Sequence, residues 1–237
     1  MIARGSNPPA WVVTRVSETG STNDDLLRMA RDGAPAGTVL VADHQTAGRG
    51  RLDRRWEAPA GTNLLASLLM RPADPALHRC TWAVALGARA ACATVARVTP
   101  DVKWPNDLLV GGRKLGGILA ESADGAVVVG IGLNVGWAPD GATCLIAEST
   151  ARPSPLDVLT AMVTELDRLV SVEADVLASE YRAALETIGK DVAVTRTERD
   201  PLIGRAVDVL DDGRLVVETG GGAVVVSAGD VVHLRPT

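Results

Sequence analysis

The chain has 237 residues, 46% of them apolar and only 3% aromatic with no Phe, and carries a formal net charge of −5. This length suits one large domain, or one domain with a small companion, whose core must be filled by Val, Leu, Ile and Ala. The acidic balance argues against a nucleic-acid binder, and three scattered cysteines (Cys80, Cys92, Cys144) argue against a disulfide framework or a zinc site. No window reaches the ~18 apolar residues of a membrane helix, and "MIARGSNPPA" lacks the apolar stretch of a signal peptide. A cytoplasmic protein with reduced, buried thiols and no membrane partner is expected.

Residues 21–32 predict a short helix: Ser21 or Thr22 can cap it, Asp24 and Asp25 suit its first turn, and Gly33 can end it. Buried strands are predicted over 38–45 and 63–70, and a long Ala-rich helix from Pro75 to Val98. Residues 102–122 read as a hairpin about Gly111-Gly112, a strong two-residue turn signal, and 126–135 as a third strand of the same meander. Residues 137–153 show no period and read as a loop. Pro155 to Ile188 has helical spacing, for two helices. From Asp191 onward, short Val-rich strands alternate with turns at Asp211-Asp212-Gly213 and Gly220-Gly221-Gly222, which predicts a small all-β barrel. The boundary is placed near Lys190, giving units 1–190 and 191–237.

The stretch "HQTAGRGRLDRRWEAP" (44–59) concentrates arginine beside glycine in an otherwise anionic chain. Glycines let the backbone approach an anion and expose its N–H groups. Arginines grip phosphate or carboxylate in a bidentate manner. The stretch fits neither the phosphate loop nor the dinucleotide fingerprint. A phosphate site and a solvated basic loop are the two readings, and Trp56 can stack on a base or cover core.

In the hairpin, the expected register pairs Leu109 with Lys114 and sets Asp107, Leu109, Lys114 and Gly116 on one face. Asp107 and Lys114 then become diagonal neighbours with Cα atoms roughly 7–8 Å apart. They either face a ligand or form an exposed ion pair of little worth. In the next strand Gly130, Gly132 and Asn134 share a face, which leaves room for a ligand, a bulge or close helix packing. Ser21-Thr22-Asn23 serve as a helix cap and, compatibly, as a polar binding site. Lysine is rare: Lys103, Lys114 and Lys190 stand against 21 arginines, so a retained lysine hints at a task that a planar guanidinium cannot do. No catalytic triad, reactive cysteine or metal spacing is visible among His44, His78 and His233. What remains is electrostatic chemistry around phosphate.

Together "GSTN" (20–23), "QTAGRGRLDRRW" (45–56), "KWPNDLLVGGRKLGGIL" (103–119) and "GIGLNV" (130–135) resemble the biotin protein ligase family in both order and spacing. The likeness covers nearly the whole chain. It implies an α+β fold: a mixed, mainly antiparallel sheet with flanking helices, class II aminoacyl-tRNA-synthetase-like, plus a small C-terminal SH3-like β-barrel. It implies activation of biotin by ATP to biotinyl-5'-AMP, then transfer to a lysine of a biotin carboxyl carrier protein or domain. Magnesium is implied by the ATP chemistry, with no ligands legible.

By the same resemblance, Arg51, Lys114 and Asp107 are catalytic. Ser21, Thr22, Asn23, Gln45, Gly48, Arg49, Gly50, Gly116 and Gly117 join Arg51 and Lys114 around biotin. Arg54, Trp56, Asn106 and Asn134 join the same pair around ATP or the adenylate. The catalytic pattern begins within about twenty residues of Met1, so no N-terminal DNA-binding domain and no repressor function are expected. Monomer and homodimer both remain open. Two rivals are a lipoate or octanoate ligase of similar fold, which does not need the arginine loop, and a non-catalytic biotin-binding or nucleotide-binding regulator.

Overall fold

The computed structural model describes residues 11–52, 54–72, 76–196, 199–227 and 229–234. Seven strands form one sheet: β1 (Val12–Thr19), β2 (Thr38–Gln45), β3 (Leu64–Met70), β4 (Asp101–Lys103), β5 (Asp107–Val110), β6 (Arg113–Ala123) and β7 (Ala126–Leu133). Their order is β1-β2-β3-β7-β6-β5-β4. Only β1 and β2 run parallel; the other neighbours are antiparallel. The strands expected at 38–45, 63–70 and 126–135 are therefore present to within two residues. They read as mainly apolar runs because both sheet faces are covered along most of their length.

Helix α1 (Thr22–Arg31) packs Leu26 and Ala30 onto Leu40, Leu69 and Val128 on one face. On the other face, α2 (Leu77–Ala96) and α4 (Pro155–Leu169) cover Val39, Val41, Ala66, Leu68 and Val129. The Pro75 proposed to open α2 lies outside the described residues. Ser154 caps α4 in a reciprocal capping box with Asp157, and Pro155 takes its first turn. The stretch 137–153, read as loop throughout, contains a one-turn helix, α3 (Leu145–Glu148). Strand β1 went unread because it lies at the sheet edge, mostly exposed, with no buried face to set a period.

The C-terminal strands are β8 (Asp191–Arg196), β9 (Arg199–Val209), β10 (Leu215–Thr219), β11 (Gly222–Val226) and β12 (Asp230–His233). They form a second, antiparallel sheet in the order β11-β10-β9-β8-β12. Its inner residues Val192, Val194, Leu215, Val217 and Val231 continue the core of the first sheet without a break. Helix α5 (Ala174–Ala184) bridges the two. Its Arg182 Nε donates to Val209 O at 2.7 Å, while Trp104 Nε1 donates to Gly213 O at 2.9 Å. Buried Tyr181 stacks on Trp82 at 4.7 Å and donates its hydroxyl to Pro105 O at 3.3 Å, and burial raises its pKa. These contacts hold the Trp104–Asp107 turn against the core.

One junction contact is sensitive to pH. Thr187 Oγ1 accepts the Trp104 N–H at 2.9 Å and lies 3.2 Å from His233 Nε2. The Thr187 proton can donate there only if His233 is neutral. Burial lowers the His233 pKa below its usual value, with Lys103 and Lys190 adding to the effect and Glu186 opposing it. The unfolded chain therefore binds this proton more readily. Stability is full above the ordinary histidine pKa and declines as pH falls through it towards the lower folded value. Urea midpoints should drop between pH 7.5 and 5.5 by more in the wild type than in His233→Gln; equal drops would contradict the linkage.

Candidate active site

A cavity of about 260 Å³ lies where α1, the Thr46–Trp56 flap, the β5–β7 strands and the start of β12 meet. Ser21 caps α1, accepting the Asp24 N–H at 3.5 Å, so its own proton remains for the cavity. Thr22 donates from both N and Oγ1 to Gln45 Oε1, at 2.8 and 3.0 Å. That commits the Gln45 oxygen and leaves its Nε2 to donate. Beneath them Ser67 Oγ lies 2.8 Å from Thr22 Oγ1 and 2.6 Å from Asn23 Oδ1. Asn23 Nδ2 donates to Leu119 O at 3.2 Å and to Glu121 Oε2 at 2.8 Å. One end of the cavity is thus a bonded polar floor.

The middle is shaped by missing side chains. A Cβ on Gly130 would collide with the Asn23 amide, and one on Gly132 with the Trp56 indole. A Cβ on Gly117, which pairs directly with Gly132, would sit 3.3 Å from Lys114 Nζ. The glycine face of β7 expected from sequence is therefore filled by Asn23 and Trp56. The Trp56 ring lies in the cavity, with its Nε1 buried and unpartnered among the described residues.

Lys114 and Asp107 meet as the hairpin suggested: Nζ donates to Oδ1 at 2.7 Å, and Nζ lies 5.7 Å from the Trp56 ring centroid. The register differs in one respect. Leu109 pairs with Lys114, but a bulge at Leu115 shifts the next pairs, so Leu108 faces Gly116 and Asp107 faces Gly117. Gly117, not Gly116, shares the cavity face. A Gly116 Cβ would lie 3.0 Å from Gly132 O and beside Leu133 and Leu108, on the core side.

The flap is itself a small hairpin. Gly50 N–H donates to Arg54 O at 2.7 Å and Trp56 N–H to Gly48 O at 3.0 Å, with Leu52 at positive φ near its tip. Gly48 lies outside the cavity, tight against the Trp56 carbonyl and the Gln45 amide. Arg49 pairs with Asp24 and Glu121 at 2.6 Å each. Arg51 donates to Asn106 Oδ1 at 3.2 Å and to Gly229 O at 3.3 Å. Partial burial lowers the Arg51 pKa, while Asp230 and Asp107 oppose that shift. Arg54 pairs with Asp230; burial raises the Asp230 carboxyl pKa, but Arg54, Lys103 and Arg51 together outweigh it and the pKa falls below its usual value.

Ser21, Thr22, Asn23, Gln45, Arg49, Gly50, Arg51, Arg54, Trp56, Asn106, Asp107, Lys114, Gly117 and Asn134 all line this one cavity. Asn134 has its side chain already bonded: Oδ1 accepts from Asn63 at 3.1 Å, and Nδ2 donates at 3.0 Å to Thr143 O in the loop that precedes α3. That loop brings Pro139 and Ala142 to the cavity. Sequence reading missed Ser67, Asn63, Glu121 and Asp230. Ser67 and Asn63 carried a faint signal as the polar residues of "NLLASLLM"; Asp230 carried none, being far along the chain in the other sheet. Among the described residues no three metal-ligating side chains cluster, and no helix is long and apolar enough to cross a membrane.

The cavity combines cationic side chains, a glycine face and a polar donor end, and comparison with known proteins places the chain in a family. The family model described as Biotin/lipoate A/B protein ligase family matches residues 14–137, and that described as Biotin protein ligase C terminal domain matches 187–234. The chain belongs to this family, within its biotin protein ligases. It is 42% identical over 234 residues to the biotin--[acetyl-CoA-carboxylase] ligase of Mycobacterium tuberculosis, covering 93% of this chain and 88% of that one. The biotin protein ligase of Aquifex aeolicus, solved in complex with biotin and ATP, shares the fold (TM-score 0.82, 24% identity, 94% and 99% of the two chains). That of Leishmania major in complex with biotinyl-5-AMP superposes with TM-score 0.69 at 26% identity, over 93% and 100%.

Proposed function

We propose that this chain activates biotin with ATP to biotinyl-5'-AMP and transfers the biotinyl group to a lysine of a carboxylase carrier domain. The observation that carries the reading is that Lys114 and Arg51, from strand and flap, enter one cavity whose far end presents the Ser21 hydroxyl and the Gln45 amide. The donor end takes the neutral biotin head group. The carboxylate then points at the cations. In the first step its oxygen attacks the α-phosphorus, and the bond to pyrophosphate breaks. Charge gathers on the α-phosphoryl oxygens, where Lys114 and Arg51 stabilise it. Arg54 exchanges Asp230 for the outer phosphates, and Trp56, whose ring rests on Gly132, packs against the nucleotide. In the second step a neutral acceptor amine attacks the acyl carbon and AMP leaves. Asp107 holds Lys114 and is the carboxylate placed to take the amine's proton.

Asp107 is paired with Lys114 and Asp230 with Arg54 in the ligand-free cavity, and no three metal-ligating side chains cluster among the described residues, which therefore form no cage for magnesium. Such an ion travels with the ATP phosphates. The carrier domain is read from the acetyl-CoA-carboxylase ligase of Mycobacterium tuberculosis. The test is to incubate the protein with ATP, a carrier domain and equal biotin and lipoate, and weigh the carrier. Addition of one biotinyl group is expected. Lipoyl addition would turn the reading to the family's other branch, and no addition with tight biotin binding would make the chain a regulator.

Gly132→Ala sets a methyl where the Trp56 ring lies. Displacing that ring should lower kcat/KM for carrier labelling by about 10²-fold, with thermal stability little changed. Labelling at the wild-type rate would show that Trp56 has no part in holding the nucleotide.

A further inference from the structure

We infer that Glu121 is a positioning residue for the biotin end of the site, a step that rests on the reading just given. Glu121 lies on β6 behind the cavity and is no part of its lining, yet one of its oxygens joins two parts of the site. Oε2 accepts from Asn23 Nδ2 at 2.8 Å and from Arg49 Nη2 at 2.6 Å. Arg49 also reaches Asp24 at the start of α1. The base of the flap and the first turn of α1 therefore share one carboxylate.

That carboxylate also anchors one end of a chain of hydrogen bonds that runs to the ligand end of the cavity. With Glu121 and Leu119 O both acting as acceptors, the Asn23 amide must present its nitrogen to them and its oxygen to Ser67. Ser67 has one proton, and the Asn23 oxygen can only accept, so Ser67 donates to Asn23. Ser67 then has only lone pairs to offer Thr22, whose proton is shared between Ser67 and Gln45. Gln45 keeps Oε1 inward and Nε2 outward because the Thr22 N–H, which can only donate, also bonds Oε1. Remove Glu121, and Asn23 is left with its longer bond to Leu119 O and Arg49 with Asp24, so the Asn23 amide, the Ser67 and Thr22 hydroxyls bonded to it in turn and the base of the flap are held less tightly. A buried chain of this kind is worth holding because each unsatisfied member is expensive.

The experiment is steady-state kinetics of adenylate formation with Glu121→Ala and Glu121→Gln, alongside melting temperatures. Glu121→Ala should raise the KM for biotin by about tenfold or more, the scale of one lost charged hydrogen bond, with the KM for ATP and kcat changed less than about threefold. Glu121→Gln should fall between, since its carbonyl still accepts from Asn23 while Arg49 keeps only Asp24 as a charged partner. A merely structural residue would move both KM values together, or neither, and that result overturns the inference. Should Glu121→Ala fail to fold, Glu121→Gln is judged by the same split. If the wild type itself forms no biotinyl-AMP, the functional reading fails; if it does and both variants match it, only the role of Glu121 fails.

Discussion

Lys114→Ala is expected to slow biotinyl-AMP formation by about 10²–10³-fold, the usual loss when one fixed charge is taken from a developing oxyanion. The protein should stay folded. Lys114 is 39% exposed on its side chain and among the described residues pairs with Asp107, and pairs that open to water contribute little to stability. Lys114→Arg should not restore the rate. The ammonium sits close enough to Gly117 that even a Cβ there would lie 3.3 Å away, which leaves little room for a broad guanidinium fork. This is a physical ground for keeping a lysine in a chain that otherwise uses arginine. Pyrophosphate release under single-turnover conditions measures the effect. A Lys114→Ala rate within a few-fold of wild type would remove Lys114 from the chemistry.

Arg51→Ala should act differently: it should loosen the intermediate more than it slows its formation. Arg51 ties the flap to Asn106 on one side and to the Gly229 carbonyl of the second sheet on the other. Without these bonds the flap is held to that sheet by the more exposed Arg54–Asp230 pair. Free biotinyl-AMP in the medium, and labelling of lysines on bystander proteins, should rise on the order of tenfold, as for one or two charged hydrogen bonds lost. A variant that retained its adenylate as well as the wild type would show that the flap shields nothing.

The uneven legibility of the site has physical causes. The Ser21 cap, the Gly111-Gly112 turn and the Leu109–Lys114 pair follow from interactions a few residues apart, and they appear as expected. The Gly130–Gly132 face was visible because missing side chains in a buried strand demand an occupant. The bulge at Leu115 was not visible, since a period of two carries no sign of one added residue, and it exchanged the places of Gly116 and Gly117. Partners far apart in sequence were hidden altogether. Arg54 and Asp230 are set together by the docking of the two sheets, and Asn23 and Glu121 by the packing of α1 on β6. The arginine loop showed its charge but not how that charge is shared: Arg49 and Arg54 are held by carboxylates, while Arg51 rests on neutral acceptors.

A crystal structure with a non-hydrolysable analogue of biotinyl-5'-AMP bound would test whether Lys114 and Arg51 serve one phosphate. Its phosphoryl oxygens should lie within about 3.2 Å of both Lys114 Nζ and the Arg51 guanidinium, with the biotin ring beside Gln45 and Ser21. An analogue bound with its phosphoryl group away from these two cations, and Lys114 still bonded to Asp107 alone, would contradict the mechanism.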